Sequence, residues 1–467
     1  MSSEFDRRAS RRTRDYRRAL VATLGVLAVA TAGLGVAGAF RVPHLDSASV
    51  AAATALERPG QRLVLRADQA IAPVAAEDVT ITPAAPIEVD SDDRAITLRF
   101  TGMLRARTEY TVEVAVTGTA TGVAGTLRYT FPTPDLDVAV LVRDPDGPDE
   151  VRRRTVSGDG TETVFTADRI QEFAETRDGV AAIVLEPSGA NGRLVIAPDG
   201  ETLTQEVALP EPGRLQQLQG SETTGRLGFR FTSADDGAPG AALSRLLLFD
   251  PLEPSGIARP VTGLDGEPLS VLDWVFVPGT SYLVAQGFDE SMLLVDTADP
   301  EADPVPLGEH SEMRGFVPGT LQLVVADPLS GSTIDLRSGE TEPLVLPDDG
   351  LDPTAYRGKI LVLGAERYVE VVSRPTTDTG FVLDYEILRG GPEGTVTIFD
   401  PGPGIPIRDI CLSPNGQYLA VETQDPAGES DGYPNVSGRT LTTTTFVDLE
   451  TGAASRATPG FASSWCD

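Results

Sequence analysis

Three patterns of apolar and polar positions succeed one another along the chain. Residues 19–40, ALVATLGVLAVATAGLGVAGAF, run for 22 positions without a charge, behind the Arg-rich stretch SRRTRDYRR. From residue 47 to 133 apolar and polar residues alternate, as in 62–66 (RLVLR), 79–82 (VTIT), 95–100 (AITLRF), 110–114 (YTVEV) and 127–131 (LRYTF). Strand side chains point alternately to two faces, so this alternation predicts half-buried strands. Pro59-Gly60, Pro83, Asp90 to Asp93 and Thr117-Gly118 supply the turns between them. From residue 134 to the end, an apolar strand, a Pro- or Gly-bearing turn and a second apolar strand recur.

The first pattern sets the topology. As a helix, residues 19–40 would extend about 33 Å, enough to cross a hydrocarbon core of about 30 Å. Seven Arg and three acidic residues precede the run within residues 1–18, which places the N-terminus in the cytoplasm by the positive-inside rule. The expectation is a basic cytoplasmic segment (1–18), a transmembrane anchor (19–40) and a tether (41–46). A cleaved signal peptide is the alternative, because Ala37-Gly38-Ala39 fits a small-x-small cleavage site before Phe40.

In the second pattern, about seven short strands in the 87 residues of 47–133 is the spacing of a β-sandwich. The run DVTITPAAPIEVDSDDRAITLRFTGMLRARTEYTVEV, followed by GVAGTLRYTFPTP, resembles the bacterial Ig-like domains of surface proteins. Leu104, Thr108-Glu109-Tyr110 and Phe131-Pro132-Thr133 carry the likeness. The resemblance implies a spacer or adhesion module without an active site.

The third pattern is a repeat. Residues 407–421 (IRDICLSPNGQYLAV), 272–285 (LDWVFVPGTSYLVA), 313–325 (MRGFVPGTLQLVV) and 170–184 (IQEFAETRDGVAAIV) align. Pro278 and Pro318 are 40 residues apart, and the wider gaps leave room for copies near 355–363 and 215–231. A period of roughly 40–50 residues is that of a propeller blade. The S-P-N-G-Q-Y-L-A-V stretch at Ser413 resembles the inner strand pair of TolB-type and WD-repeat-like β-propellers. The resemblance implies an all-β ring of seven blades, with six or eight as alternatives. The last strand, in 461–467, would pair with the orphan strand at 136–142 to close it. Cys411 and Cys466 fall on one alignment position of neighbouring inner strands, so they form either a disulfide or two buried thiols. Trp274 and Trp465 align with core positions, with a ligand-binding mouth as the alternative.

Composition narrows the function. Net charge is −31 overall and −35 beyond residue 18, which argues against nucleic acid and anionic lipid as partners. Lys359 is the only lysine, an Arg bias of the kind found in actinobacterial, GC-rich genomes. His44 and His310 are the two histidines, far apart and without metal-ligand spacing. No G-x-S-x-G elbow or catalytic domain accompanies the repeats, so no catalytic residues and no cofactor are assigned. The acidic turns at 144–150, 235–237, 348–350 and 425–432 are calcium candidates that lack the EF-hand order. The expected function is a membrane-anchored extracytoplasmic binding protein for a protein, peptide or cell-envelope polymer. A propeller enzyme of the lactonase or hydrolase kind, with a metal in its central channel, is the alternative.

Overall fold

The computed structural model describes residues 16, 19–31, 41–200, 203–253, 256–347, 350–352, 354–376 and 382–466. Residues 19–31 are helical and exposed, about 20 Å of helix at 1.5 Å per residue. No helix among the described residues is long and apolar enough to cross a membrane. The rest of the expected span, 32–40, lies outside the described residues, as does most of the basic segment. Beyond it the chain divides into two compact units, with the boundary between Pro134 and Asp135 and with Leu56–Arg58 grouped with the second.

The first unit holds β1 (Leu45–Val50), β2 (Arg62–Ala67), β3 (Val79–Thr82), β4 (Ile87–Ser91), β5 (Ala95–Phe100), β6 (Glu109–Thr117) and β7 (Ala124–Pro132). They form two antiparallel sheets, ordered β1-β2-β5-β4 and β3-β6-β7. The alternation works as expected: Leu63 and Leu65 on β2, and Tyr110, Val112 and Val114 on β6, are buried while their neighbours are not. Burying each such side chain contributes roughly 1.5–3 kcal/mol. The inner faces meet where Phe100 of β5 lies 6.5 Å from Phe131 of β7, itself stacked on Tyr110 at 5.7 Å. The Tyr110 hydroxyl accepts the Arg105 N–H at 3.0 Å, tying β6 to the turn before it. Two expectations need correction. Leu45 and Asp46, assigned to the tether, already belong to β1, whose partner is β2. Asp90, assigned to a turn, lies inside β4, because Ile87 and Val89 continue the alternation through it.

The second unit is a β-propeller made of successive antiparallel sheets. The first holds β8 (Asp137–Val142), β9 (Asp149–Thr155) and β10 (Glu162–Ala167). Six four-stranded sheets follow among the described residues, spanning 170–206, 213–260, 273–309, 312–343, 356–399 and 407–459. Within each, strands pair in chain order. The aligned motifs are the first and second strands of these sheets. Their shared turns place Gly279, Gly319 and Gly416 at φ 73, 72 and 64, a region glycine enters without steric cost. Neighbouring sheets bury apolar side chains between them. Trp274, for instance, packs with Leu246, Val261 and Leu283 across the third and fourth sheets.

The ring closes through its ends. Leu141 of β8 and Phe461 exchange backbone hydrogen bonds of 2.8 and 2.9 Å. Ser464 donates its N–H to the Ala139 carbonyl at 2.9 Å and accepts the Ala139 N–H on Oγ at 3.1 Å. The C-terminal segment thus takes the innermost position of the first sheet through an isolated bridge, which covers the free edge of β8.

Candidate functional site: the central channel

The first strands of the six four-stranded sheets are Ile170–Thr176, Gly213–Gly220, Asp273–Phe276, Glu312–Phe316, Tyr356–Gly364 and Ile407–Leu412. All six, with the closing segment at Ala462, Ser463 and Cys466, line one cavity of about 710 Å³. Side chains on one strand reach the next in the same order: Gln171 Nε2 donates to the Leu215 carbonyl at 2.8 Å, and Glu172 accepts the Leu218 N–H at 2.9 Å. Gln217 Nε2 then reaches Asp273 at 3.2 Å, and Gln219 Nε2 the Trp274 carbonyl at 3.0 Å. The strands around the cavity therefore run in the same sense.

The wall is polar and its charges are largely paired. Lys359 Nζ lies 2.7 Å from Asp409, Arg314 lies 2.8 Å from Glu312, and Arg408 is ion-paired with Glu422. Glu422 is fully buried, and burial raises its pKa despite the guanidinium beside it. Glu172 has no such partner at hand. Burial pushes its carboxyl up to about 7, against the backbone N–H groups that favour the anion. Burial also raises Asp273, which accepts the Trp274 N–H. Gln217 sits on a bulge with φ of 51, and its Oε1 is buried without a hydrogen-bond partner.

One mouth of the channel is crossed by residues 425–441, the connection between the second and third strands of the last sheet. Asn435 Oδ1 accepts from Gln216 Nε2 at 2.6 Å, at the start of the third sheet. Arg143 anchors the crossing. Its guanidinium is buried, ion-paired with Asp431, and donates to the carbonyls of Gln171 (2.8 Å) and Val436 (3.0 Å). It also lies 3.6 Å from the Tyr433 ring centroid, with Arg169 at 4.6 Å from the same centroid. The Tyr433 hydroxyl donates to buried Asp149. Burial and that carboxylate push its pKa up to about 12.

The residues singled out in the sequence are distributed as follows. Cys411, on the last first strand, and Cys466, in the closing segment, are joined by a disulfide with Cα atoms 5.1 Å apart. Asp409 lies within 4.8 Å of both sulfurs, the one potential metal-ligating group among the described residues. Disulfide sulfurs are not thiolates, so the group holds no metal while the bond stands. In the acidic turns, Asp144 and Asp425 accept backbone N–H bonds from Asp146 and Ala427, and Asp236 pairs with Arg214. Asp348 and Asp349 lie outside the described residues. His44 sits in the first unit near Asp68, and His310 contacts Asp327 at 3.2 Å; neither lines the channel. Trp274 directs its ring into the core over Gly228, and Trp465 meets Phe446 edge-on at 5.3 Å. Sequence reasoning missed Glu172, Arg143 and Tyr433; the unusual length of the 425–441 connection was the one signal for the last.

No protein-family model matches the chain, and no curated protein matches it. Solved structures do. Dihydro-heme d1 dehydrogenase NirN in complex with DHE is 13% identical, over 70% of this chain and 74% of that one, with a TM-score of 0.40. TolB from Acinetobacter baumannii is 11% identical, over 81% and 79%, at 0.35. An auxiliary nutrient binding protein from Bacteroides ovatus is 10% identical, over 78% and 92%, at 0.31. Likeness this low carries no argument about function, and the propeller reading rests on the sheets and their closure.

Proposed function

We propose that this chain is a membrane-anchored, extracytoplasmic binding protein. In this reading residues 19–40 are the anchor, the first unit is an Ig-like spacer, and the seven sheets of the second are seven blades. Tyr110, whose hydroxyl fixes the turn before its own strand, supports the Ig-like reading. The Cys411–Cys466 disulfide carries the assignment outside the cytoplasm, since such bonds persist in oxidising compartments. The loops at the propeller mouth, held on a rigid ring, are the binding elements. Partners are a protein, a peptide or an envelope polymer.

Fractionation with N-terminal sequencing tests it. The reading expects the full-length chain in carbonate-washed membranes, with its C-terminus open to protease added to intact cells. Chain beginning at Phe40 in the medium would replace the anchor with a signal peptide, and a protease-protected C-terminus would overturn the reading.

A channel enzyme is the second reading, favoured by Glu172, whose pKa near 7 suits a general acid or base. It requires hydrolytic activity that disappears in Glu172→Gln, and in its metal-dependent form stoichiometric bound metal as well.

A further inference from the structure

The loops at the channel mouth share a feature that the fold does not require. In each four-stranded sheet, the turn between the second and third strands returns to the mouth at which the first strands begin. The 425–441 crossing shows this directly, because its Asn435 meets Gln216 and Gln171 near the starts of their strands. In the five consecutive sheets from the third to the seventh, that turn carries a large apolar side chain exposed to solvent: Leu243, Phe288, Leu329, Val382 and Leu441. Leu329 is 100% exposed and Phe288 61%. Scattered surface leucines need no explanation, but one per sheet at the same topological position forms a crown.

Two further observations bear on what meets it. Three of these turns are acidic: Asp235 in the third sheet, Asp289 and Glu290 in the fourth and Glu429 in the seventh are exposed. They also hold non-glycine residues at left-handed φ, with Ser244 at 51, Glu290 at 67 and Leu441 at 64. Their carbonyls accept the backbone N–H groups of Val271, His310 and Asp425, so the hairpins themselves hold these residues in place.

We infer that this crown of apolar and acidic turns is the docking surface for a basic, amphipathic polypeptide, with Arg or Lys opposite the carboxylates and apolar side chains seated among the five exposed ones. This rests on the reading of the chain as a binding protein and adds the surface and the chemistry of its partner. Charge complementarity selects the occupant, since a chain of net charge −31 repels an anionic polymer or lipid surface. Within this unit the chain begins at the start of β8, on the face opposite the crown.

The test uses the full chain in phosphatidylcholine nanodiscs and a fluorescent synthetic peptide that alternates arginine and leucine pairs. The same peptide with glutamate for arginine, and polylysine, are the comparisons. The expected result is saturable binding of the arginine–leucine peptide, weakened about tenfold or more in the double variant Phe288→Ser, Leu329→Ser. Glu290→Gln, Glu429→Gln weakens it less and flattens its salt dependence. All four side chains are exposed, and an unchanged urea midpoint confirms that the variants fold. Equal binding by wild type and the serine variant, or equal binding of polylysine or the glutamate peptide, overturns the inference. Fractionation results are independent of this titration, so failure here leaves the anchored-binder reading standing, and failure there does not alter the crown.

Discussion

Leu141 and Phe461 donate to and accept from each other through their backbones, at 2.8 and 2.9 Å, joining the two ends of the propeller. The Phe461 ring is buried and lies 4.9 Å from the Arg143 guanidinium and 4.8 Å from that of Arg408. The closing segment therefore also packs the arginines that hold the mouth and the channel wall.

Removing that ring should cost more than an ordinary surface change. Phe461→Ala is expected to destabilise the chain by about 3–5 kcal/mol, the range for a buried aromatic, as read from urea unfolding. Leu441→Ser, exposed on the crown, should move the midpoint hardly at all.

The disulfide supports the same closure from the unfolded side. Its loop spans 55 residues, so loss of the bond through Cys411→Ala, Cys466→Ala should cost about 4 kcal/mol on the chain-entropy model. Reduction of the wild-type chain should shift its unfolding midpoint in the same direction and by a similar amount.

Glu172 makes stability depend on pH with a definite sign. Its carboxyl sits near 7 when folded, against 4.5 as its ordinary value. Between those values the folded chain keeps a proton that the unfolded chain has lost, so stability falls as pH rises through that window, by about 3 kcal/mol in total. Glu172→Gln retains an acceptor for the Leu218 N–H and removes the titration. The variant should be more stable than wild type at pH 8 and nearly equal at pH 4, by parallel urea titrations.

Gly228 is the tightest point of the core around Trp274. A Cβ there would stand 2.3 Å from the indole ring. Gly228→Ala is expected to destabilise by about 1–3 kcal/mol, with a change in tryptophan emission marking the displaced ring.

How much of this was legible depends on whether the signal is local. The Pro-Gly turns at Pro278 and Pro318 repeat in sequence because each blade needs the same tight return, so the strand pairs could be read directly. The cysteines could be placed for the same reason, through their shared alignment position. The sandwich strands β2, β3, β5, β6 and β7 announced themselves by alternation. β1 did not, because LDSASV sits near an edge with little apolar content, and its pairing with β2 fixes it. The mouth and the channel wall were out of reach. Arg143 meets Asp431 across 288 positions, and one arginine among many carries no mark of it. Glu172 looks like any strand carboxylate until the next blade covers it and offers the Leu218 N–H.

Export and ring closure converge on one bond, so the most direct measurement is a non-reducing peptide map of the full-length chain taken from intact cells and alkylated before lysis. The account predicts a single linked pair of peptides containing Cys411 and Cys466, with neither cysteine alkylated. Free, alkylated thiols at both positions would contradict it.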